Sequence, residues 1–276
     1  MPDNRPIGVF DSGLGGLTVL REIEKVLPNE NIVYFGDTGR VPYGNKSNDT
    51  IISYARQDEK FLLSKDVKYI VAACGTVSAV AFDTAKELPV PFMGVVENSV
   101  KDAVACSKNK IIGVIGTSAT ISNGAHERLI KALCPEAVVV TSECPLFVPL
   151  VEEGWVGEND PVVLETVKRY LKPLTDAGVD TVILGCTHYP VLKSAIKKVV
   201  GEEVMLINMG YSTAYAVADE LVRLDLLNDG SIPPEKQFYL SDMTAAFPKM
   251  AELLLGDIIK NNVGLVDITK YEGSID

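Results

Sequence analysis

The sequence has few of the residues that disulfide scaffolds and metal sites require. Its 276 residues include five cysteines, an odd number without C-x-x-C spacing, and only two histidines, His126 and His188. Disulfide frameworks use paired cysteines, and zinc sites use clusters of cysteine and histidine. We therefore expect neither a disulfide framework nor a metal site.

Signals for a bound cofactor are also lacking. The glycine-rich segment at residues 11–16, DSGLGG, does not have the G-x-G-x-x-G spacing of a dinucleotide site, and no lysine follows it as in a P-loop. The sequence has no signature of the lysine Schiff base and phosphate cup that pyridoxal phosphate needs. We expect chemistry carried by side chains alone, with no cofactor.

Long apolar runs and basic clusters are missing as well. No apolar run approaches the roughly 20 residues of a membrane span, and the residues before Ile7 are short and polar, unlike a signal peptide. The net charge is -11, and no group of Lys or Arg offers the basic face that nucleic acid requires. These features predict a cytoplasmic protein without a membrane or nucleic-acid partner.

What the chain does contain is an alternation of short apolar runs and longer helical patterns. Apolar runs with β-branched residues indicate parallel strands whose two faces are both covered by helices. The predicted strands are 7–10, 31–35, 69–73, 111–115, 138–141 and 181–184, and the predicted helices are 17–26, 50–64, 122–133, 162–177, 214–227 and 244–255. The fold class is therefore α/β.

The order of these elements repeats. The segment from Ile7 to Ser12 resembles that from Ile112 to Thr117, and the strand leading to Cys74 resembles the strand leading to Cys186. A repeat of this kind predicts two pseudo-symmetric parallel-sheet lobes with the active site in the cleft between them. We assign residues 1–98 to the first lobe, 99–210 to the second, and 211–276 to a C-terminal segment that returns to the first lobe.

The two matched cysteines are the strongest candidates for chemistry. Cys74 and Cys186 each follow a buried strand and precede a predicted helix, so pseudo-symmetry would place the two thiols face to face. A helix N-terminus favours the thiolate form of a cysteine. His188 follows Cys186 closely enough to exchange a proton with it.

Three other segments have polar groups that could border the cleft. Asp11 could pair with a substrate ammonium group or assist a thiol, or it could cap a helix. Residues 42–44, Pro-Tyr-Gly, form either a plain turn or a turn whose N–H groups hold a carboxylate. One of the adjacent Glu152 and Glu153 could face the cleft as a proton relay, or both could be solvated.

Two opposed thiols suit the inversion of an amino-acid α-carbon. Its C–H is a very weak acid, so inversion needs a base on one face and an acid on the other. A thiolate and a thiol provide both and exchange roles in the reverse reaction.

Four segments of the sequence resemble glutamate racemase, of the aspartate/glutamate racemase superfamily. They are FDSGLGG at 10–16, VPYG at 41–44, CPLFVPLVEEG at 144–154 and GCTHYP at 185–190, and the resemblance extends over nearly the whole chain. The resemblance implies cofactor-independent production of D-glutamate for peptidoglycan, in cell-wall biogenesis and cell shape, by a protein that is commonly a homodimer.

The resemblance also implies roles for individual residues. Cys74 and Cys186 would be the two acid/base groups, with Asp11 assisting Cys74, and Glu153 and His188 assisting Cys186. The substrate would be bordered by Asp11, Ser12, Pro42, Tyr43, Gly44, Gly75, Thr76, Thr120, Thr187 and His188.

Two positions depart from the family pattern. Gly75 stands where the family usually has asparagine, and Asn208 where it usually has aspartate; we expect Asn208 to be structural. Loss of the asparagine amide would weaken substrate binding, so we expect Gly75→Asn to raise kcat/KM for glutamate. Gly75 leaves open a less efficient glutamate racemase, a racemase of aspartate or another amino acid, and a weakly active binding protein of the same fold.

Overall fold

Two parallel β-sheets form the framework of the protein. The structure is a computed structural model that describes residues 3–243, 247–255 and 263–273. The first sheet has the order β10-β9-β2-β1-β3-β4 and the second the order β6-β5-β7-β8. The strands are β1 (Ile7–Asp11), β2 (Ile32–Gly36), β3 (Tyr69–Ala72), β4 (Phe92–Gly94), β5 (Ile111–Gly116), β6 (Val138–Glu143), β7 (Thr181–Leu184), β8 (Met205–Asn208), β9 (Lys236–Leu240) and β10 (Val263–Leu265).

Helices cover both sheets. They are α1 (Leu17–Val26), α2 (Asn48–Leu63), α3 (Gly75–Val80), α4 (Val96–Cys106), α5 (Ser118–Asn123), α6 (Ala125–Leu133), α7 (Phe147–Glu152), α8 (Pro161–Ala177), α9 (Lys193–Val200), α10 (Met209–Arg223) and α11 (Phe247–Leu255). Short 3-10 helices lie at Tyr43–Asn45, Phe82–Glu87, Tyr189–Leu192 and Ile268–Tyr271. No helix within the described ranges is long and apolar enough to cross a bilayer.

The strand order confirms the predicted α/β class and the internal repeat. Strands β2-β1-β3-β4 of the first sheet and β6-β5-β7-β8 of the second follow the same path through their sheets. Every residue of β1, β2, β3 and β7 is buried, as expected for parallel strands covered on both faces. The strand before Cys74, β3, therefore corresponds to the strand before Cys186, β7.

The C-terminal strands extend the first sheet. Strand β9 pairs in parallel with β2 along Ile32–Gly36, and β10 pairs with β9. Helix α10 runs across the assigned boundary between residues 210 and 211, so the limits of the three segments stay a prediction.

Most predicted helices differ from the structure only at their ends, and local capping explains the differences. The predicted helix at 122–133 is two helices, because Gly124 has a left-handed φ of 70° that ends α5 and begins α6. Helix α10 begins before the predicted residue 214, because the Asn208 side chain accepts the N–H of Gly210 at 2.9 Å as its N-cap. Residues 244–246 of the last predicted helix lie outside the described residues.

Candidate active site

Cys74 and Cys186 lie at equivalent places in the two lobes. Cys74 is the N-cap of α3, directly after the segment that continues β3, and Cys186 follows Gly185 at the end of β7. Both thiols are buried, and both line one pocket. The carboxyl ends of two corresponding strands thus bring two cysteines to a single cavity, as the repeat predicts.

The pocket lies where the lobes meet and has a volume of about 420 Å³. That volume suits a small metabolite. Among the lining residues there is no lysine or arginine, so an anionic ligand would meet hydroxyl groups, backbone N–H groups and His188. The lining consists of Ser12, Gly13, Val41, Pro42, Tyr43, Gly44, Asn45, Cys74, Gly75, Thr76, Thr117, Ser118, Pro145, Val148, Pro149, Glu152, Cys186, Thr187 and His188.

Cys74 is held as a neutral thiol. Its Sγ donates to Ser12 Oγ at 3.5 Å. Burial, together with the negative charge of Asp11, raises the pKa of Cys74 to about 12. A neutral Cys74 has a proton to give.

Cys186 faces a histidine instead. His188 Nδ1 lies 3.9 Å from Cys186 Sγ, and His188 Nε2 lies 3.3 Å from Glu152 Oε1. Burial alone would lower the pKa of His188, but its contacts with Cys186 and Glu152 outweigh burial and raise that pKa to about 10. A cationic His188 can donate a proton toward Cys186 and balance negative charge in the cavity.

The partner of His188 differs from the one that the resemblance implies. Glu152 lines the pocket, whereas Glu153 is exposed and offers its backbone oxygen to Lys249 Nζ at 3.2 Å. Glu152 is the last residue of α7, and Glu153 turns away after the helix ends. Glu152, and not Glu153, is therefore the glutamate that lies beside His188, and the role of either residue in assisting Cys186 stays a prediction.

Asp11 lies behind the pocket and does not line it. Its Oδ2 accepts the N–H of Gly13 at 3.0 Å, while its Oδ1 has no hydrogen-bond partner among the described residues. Burial raises the pKa of Asp11, and the charge of His188 opposes that shift. Asp11 is therefore placed to act on Cys74 and His188 through charge, without a contact to the cavity.

The predicted turn at residues 42–44 lines the cavity and contacts the second lobe. Gly44 lies so close to Thr117 that a β-carbon on residue 44 would be 2.7 Å from Thr117 Cβ. Only glycine fits between the turn and the second lobe at that point.

Three threonine hydroxyls join the lobes at the pocket wall. Thr76 Oγ1 lies 3.0 Å from Thr117 Oγ1 and 3.3 Å from Thr120 Oγ1, and Thr117 and Thr120 lie 3.0 Å apart. Thr76 and Thr117 line the cavity, whereas Thr120, predicted to border the substrate, is buried behind them. Thr117 was not among the predicted site residues, although the repeat aligns it with Ser12.

Apolar residues that were not among the predicted site residues complete the cavity. Val41, Pro145, Val148 and Pro149 line it, and Thr187 and His188 close it against Gly15, where a β-carbon would be 2.2 Å from Thr187 Oγ1. The other cysteines, Cys106, Cys134 and Cys144, are free and do not line the pocket.

Comparison with known proteins places the chain in a family. The family model described as Asp/Glu/Hydantoin racemase matches residues 19–211. The chain belongs to the Asp/Glu/hydantoin racemase family.

Individual members of the racemase family are similar over most of the chain. It is 46% identical to the glutamate racemase of Syntrophus aciditrophicus over 256 residues, 92% of this chain and 94% of the relative. It is also 46% identical to the glutamate racemase of Geobacter metallireducens, over 91% of this chain and 93% of the relative. The crystal structure of Francisella tularensis glutamate racemase in complex with D-glutamate has a TM-score of 0.91 at 38% identity, covering 98% of this chain and 100% of that chain.

Proposed function

We propose that this protein interconverts L-glutamate and D-glutamate without a cofactor. The observation that carries the proposal is the pair of buried thiols, Cys74 and Cys186, at equivalent strand ends around one cavity. The chain is similar to glutamate racemases over nearly their whole length, and the crystal structure of one of them contains D-glutamate. A role in supplying D-glutamate for peptidoglycan follows from this activity.

In the proposed reaction, one sulfur removes the proton from Cα and the other delivers a proton to the opposite face. The first sulfur must be a thiolate and becomes a thiol; the second begins as a thiol and becomes a thiolate. Cys74, with its raised pKa, fits the proton donor in one direction, and in the reverse direction the roles exchange. No other reactant is required, and the electron pair returns to Cα in the inverted configuration.

The surroundings supply the assistance that a weak carbon acid needs. His188, held by Glu152, balances the charge on Cys186 when that sulfur is a thiolate. The threonine hydroxyls and the backbone of the 42–44 turn offer donors to the two carboxylates of glutamate. Preorganised donors around the cavity stabilise a carbanion more strongly than bulk water would.

Deuterium exchange tests the proposal. The protein is incubated in D₂O with L-glutamate, and with L-aspartate in parallel, while loss of the α-proton signal is followed by NMR. We expect exchange with glutamate, formation of D-glutamate, and loss of both in Cys74→Ala and Cys186→Ala. Exchange with aspartate alone would assign a different substrate, and no exchange with either would favour a binding protein of the same fold.

A cytoplasmic location, expected from the sequence, and a homodimer, implied by the resemblance to glutamate racemase, are further parts of the proposal. Light scattering coupled to gel filtration measures the mass of the assembly directly. The mass of a monomer at working concentration would contradict the proposed homodimer.

A further inference from the structure

A buried polar cluster lies behind the pocket wall at residues 42–44. It consists of Asp37, Arg40, Tyr43, Gln57 and Asp58; both aspartates are fully buried, and Tyr43 is 1% exposed. Of the five, only Tyr43 also lines the pocket. The cluster therefore connects the cavity to helix α2, which carries Gln57 and Asp58.

The hydroxyl of Tyr43 is in contact with both carboxylates. Tyr43 Oη is hydrogen-bonded to Asp37 Oδ2 and lies 3.1 Å from Asp58 Oδ2. A phenol has one hydrogen and can donate to only one of these oxygens. The second contact needs a hydrogen from the carboxyl side, because two lone pairs facing each other in a buried site would be costly.

The charges of the cluster also indicate that one of the two carboxyl groups carries a proton. Arg40 is the cation that contacts the two aspartates, with Nε 2.5 Å from Asp37 Oδ2 and Nη2 3.1 Å from Asp58 Oδ1. Two buried carboxylates would leave one negative charge uncompensated. Burial first, and then the charge of Asp37, raise the pKa of Asp58 well above its usual range; the charge of Glu59 adds to the shift, and Arg40 and Tyr43 oppose it.

We propose that Asp58 is a positioning residue that stays protonated and donates its hydrogen to Tyr43, which donates in turn to Asp37. The chain of two hydrogen bonds fixes the 42–44 turn against the second lobe. Because Gly44 has no free space beside Thr117, a displaced Tyr43 would deform the substrate pocket. The substrate side of this inference rests on the proposed function; the protonation of Asp58 does not.

Two variants test whether residue 58 acts through a donated hydrogen or through a negative charge. Asp58→Asn is neutral and keeps a donor for Tyr43 and an acceptor for Arg40, so we expect KM for glutamate within about twofold of the wild type. Asp58→Leu removes the donor, and we expect KM to rise roughly tenfold, with a smaller change in kcat. If Asp58→Leu does not fold, Tyr43→Phe breaks the same chain and is expected to raise KM.

An infrared difference spectrum reads the proton directly. Subtracting Asp58→Asn from the wild type at neutral pH should show the C=O band of a protonated carboxyl; the nearby Glu59 is present in both proteins and cancels. A difference spectrum with only carboxylate bands, or an Asp58→Asn variant as impaired in KM as Asp58→Leu, would overturn the inference. A wild type without exchange activity would count against the proposed function alone, since the infrared result stands without it.

Discussion

The carbonyl oxygen of Gly185 lies so close to Gly75 that a β-carbon on residue 75 would be 2.6 Å from it. Gly75 follows Cys74 and Gly185 precedes Cys186, so the two thiol-bearing segments contact each other backbone to backbone. Any side chain at residue 75 must push one of these segments away.

This contact reverses the sequence-based expectation for Gly75→Asn. The amide would add a donor, but the β-carbon must first displace the backbone of Gly185. Overpacking of this kind costs about 1–3 kcal/mol. We expect Gly75→Asn and Gly75→Ala to lower both the thermal midpoint and kcat/KM.

Gly157→Ala is the matched control for Gly75, because a β-carbon there meets its nearest atom at an ordinary 3.5 Å. Thermal denaturation and the exchange assay are run on all three variants. A Gly75→Asn protein with raised kcat/KM and an unchanged midpoint would show that the backbone yields easily and that the amide matters more.

The neighbouring glutamates Glu152 and Glu153 should respond differently to the same substitution. Glu152→Gln removes the carboxylate whose Oε1 lies 3.3 Å from His188 Nε2. The contact is an ion pair without hydrogen-bond geometry, and the Glu152 side chain is 40% exposed, so its loss is worth up to about 1 kcal/mol. We expect kcat to fall about twofold to fivefold. Glu153→Gln, at an exposed position, should keep wild-type kcat; equal losses in both would reject the assignment of Glu152.

The stability of the protein should depend on pH through His188. Its pKa in the folded chain is about 10, above the value of about 6.5 expected in the unfolded chain. The folded state therefore binds the extra proton, and this stabilisation is present below about pH 6.5 and lost as the pH rises through about 10.

Urea denaturation of the wild type and His188→Gln across this range measures the effect of His188. The difference in unfolding free energy should shrink as the pH rises. A difference that is constant with pH would mean that His188 is neutral in the folded protein.

His126 should act in the opposite sense. It is 2% exposed, neither ring nitrogen has a partner within the described part of the chain, and burial lowers its pKa to about 4. The unfolded chain binds the proton more readily, so stability is present above about pH 6.5 and lost as the pH falls through about 4.

Replacing His126 with leucine removes both the unpaired polar atoms and the acid sensitivity. We expect His126→Leu to gain about 1–3 kcal/mol at neutral pH and more in acid. Guanidinium denaturation at neutral and acidic pH tests this; an acid loss as large in the variant as in the wild type would assign the sensitivity to other groups.

The repeat made much of the architecture predictable. Apolar strands and two strand–cysteine segments in the same order were sufficient to predict two matched sheets and one cavity with two thiols, because parallel strands place their carboxyl ends at one edge. Capping was harder to foresee, since the early start of α10 depends on one side chain, Asn208.

The details of the site depend on contacts between segments distant in sequence. Adjacent residues such as Glu152 and Glu153 point in different directions at a helix end, so the docking of α7 decides which one meets His188. A side chain at residue 75 would clash with the carbonyl oxygen of Gly185, which lies far from it in sequence. The local sequence around each residue does not predict either of these two contacts.

The pairing of β9 with β2 sets an order for folding during synthesis. The second sheet uses strands between Ile111 and Asn208, so all of its partners have been made before Lys236 leaves the ribosome. The first lobe begins the chain, yet the outer edge of β2 stays uncovered until β9 arrives. We therefore expect the N-terminal lobe to complete its sheet last, with an exposed strand edge that nascent-chain chaperones could shield.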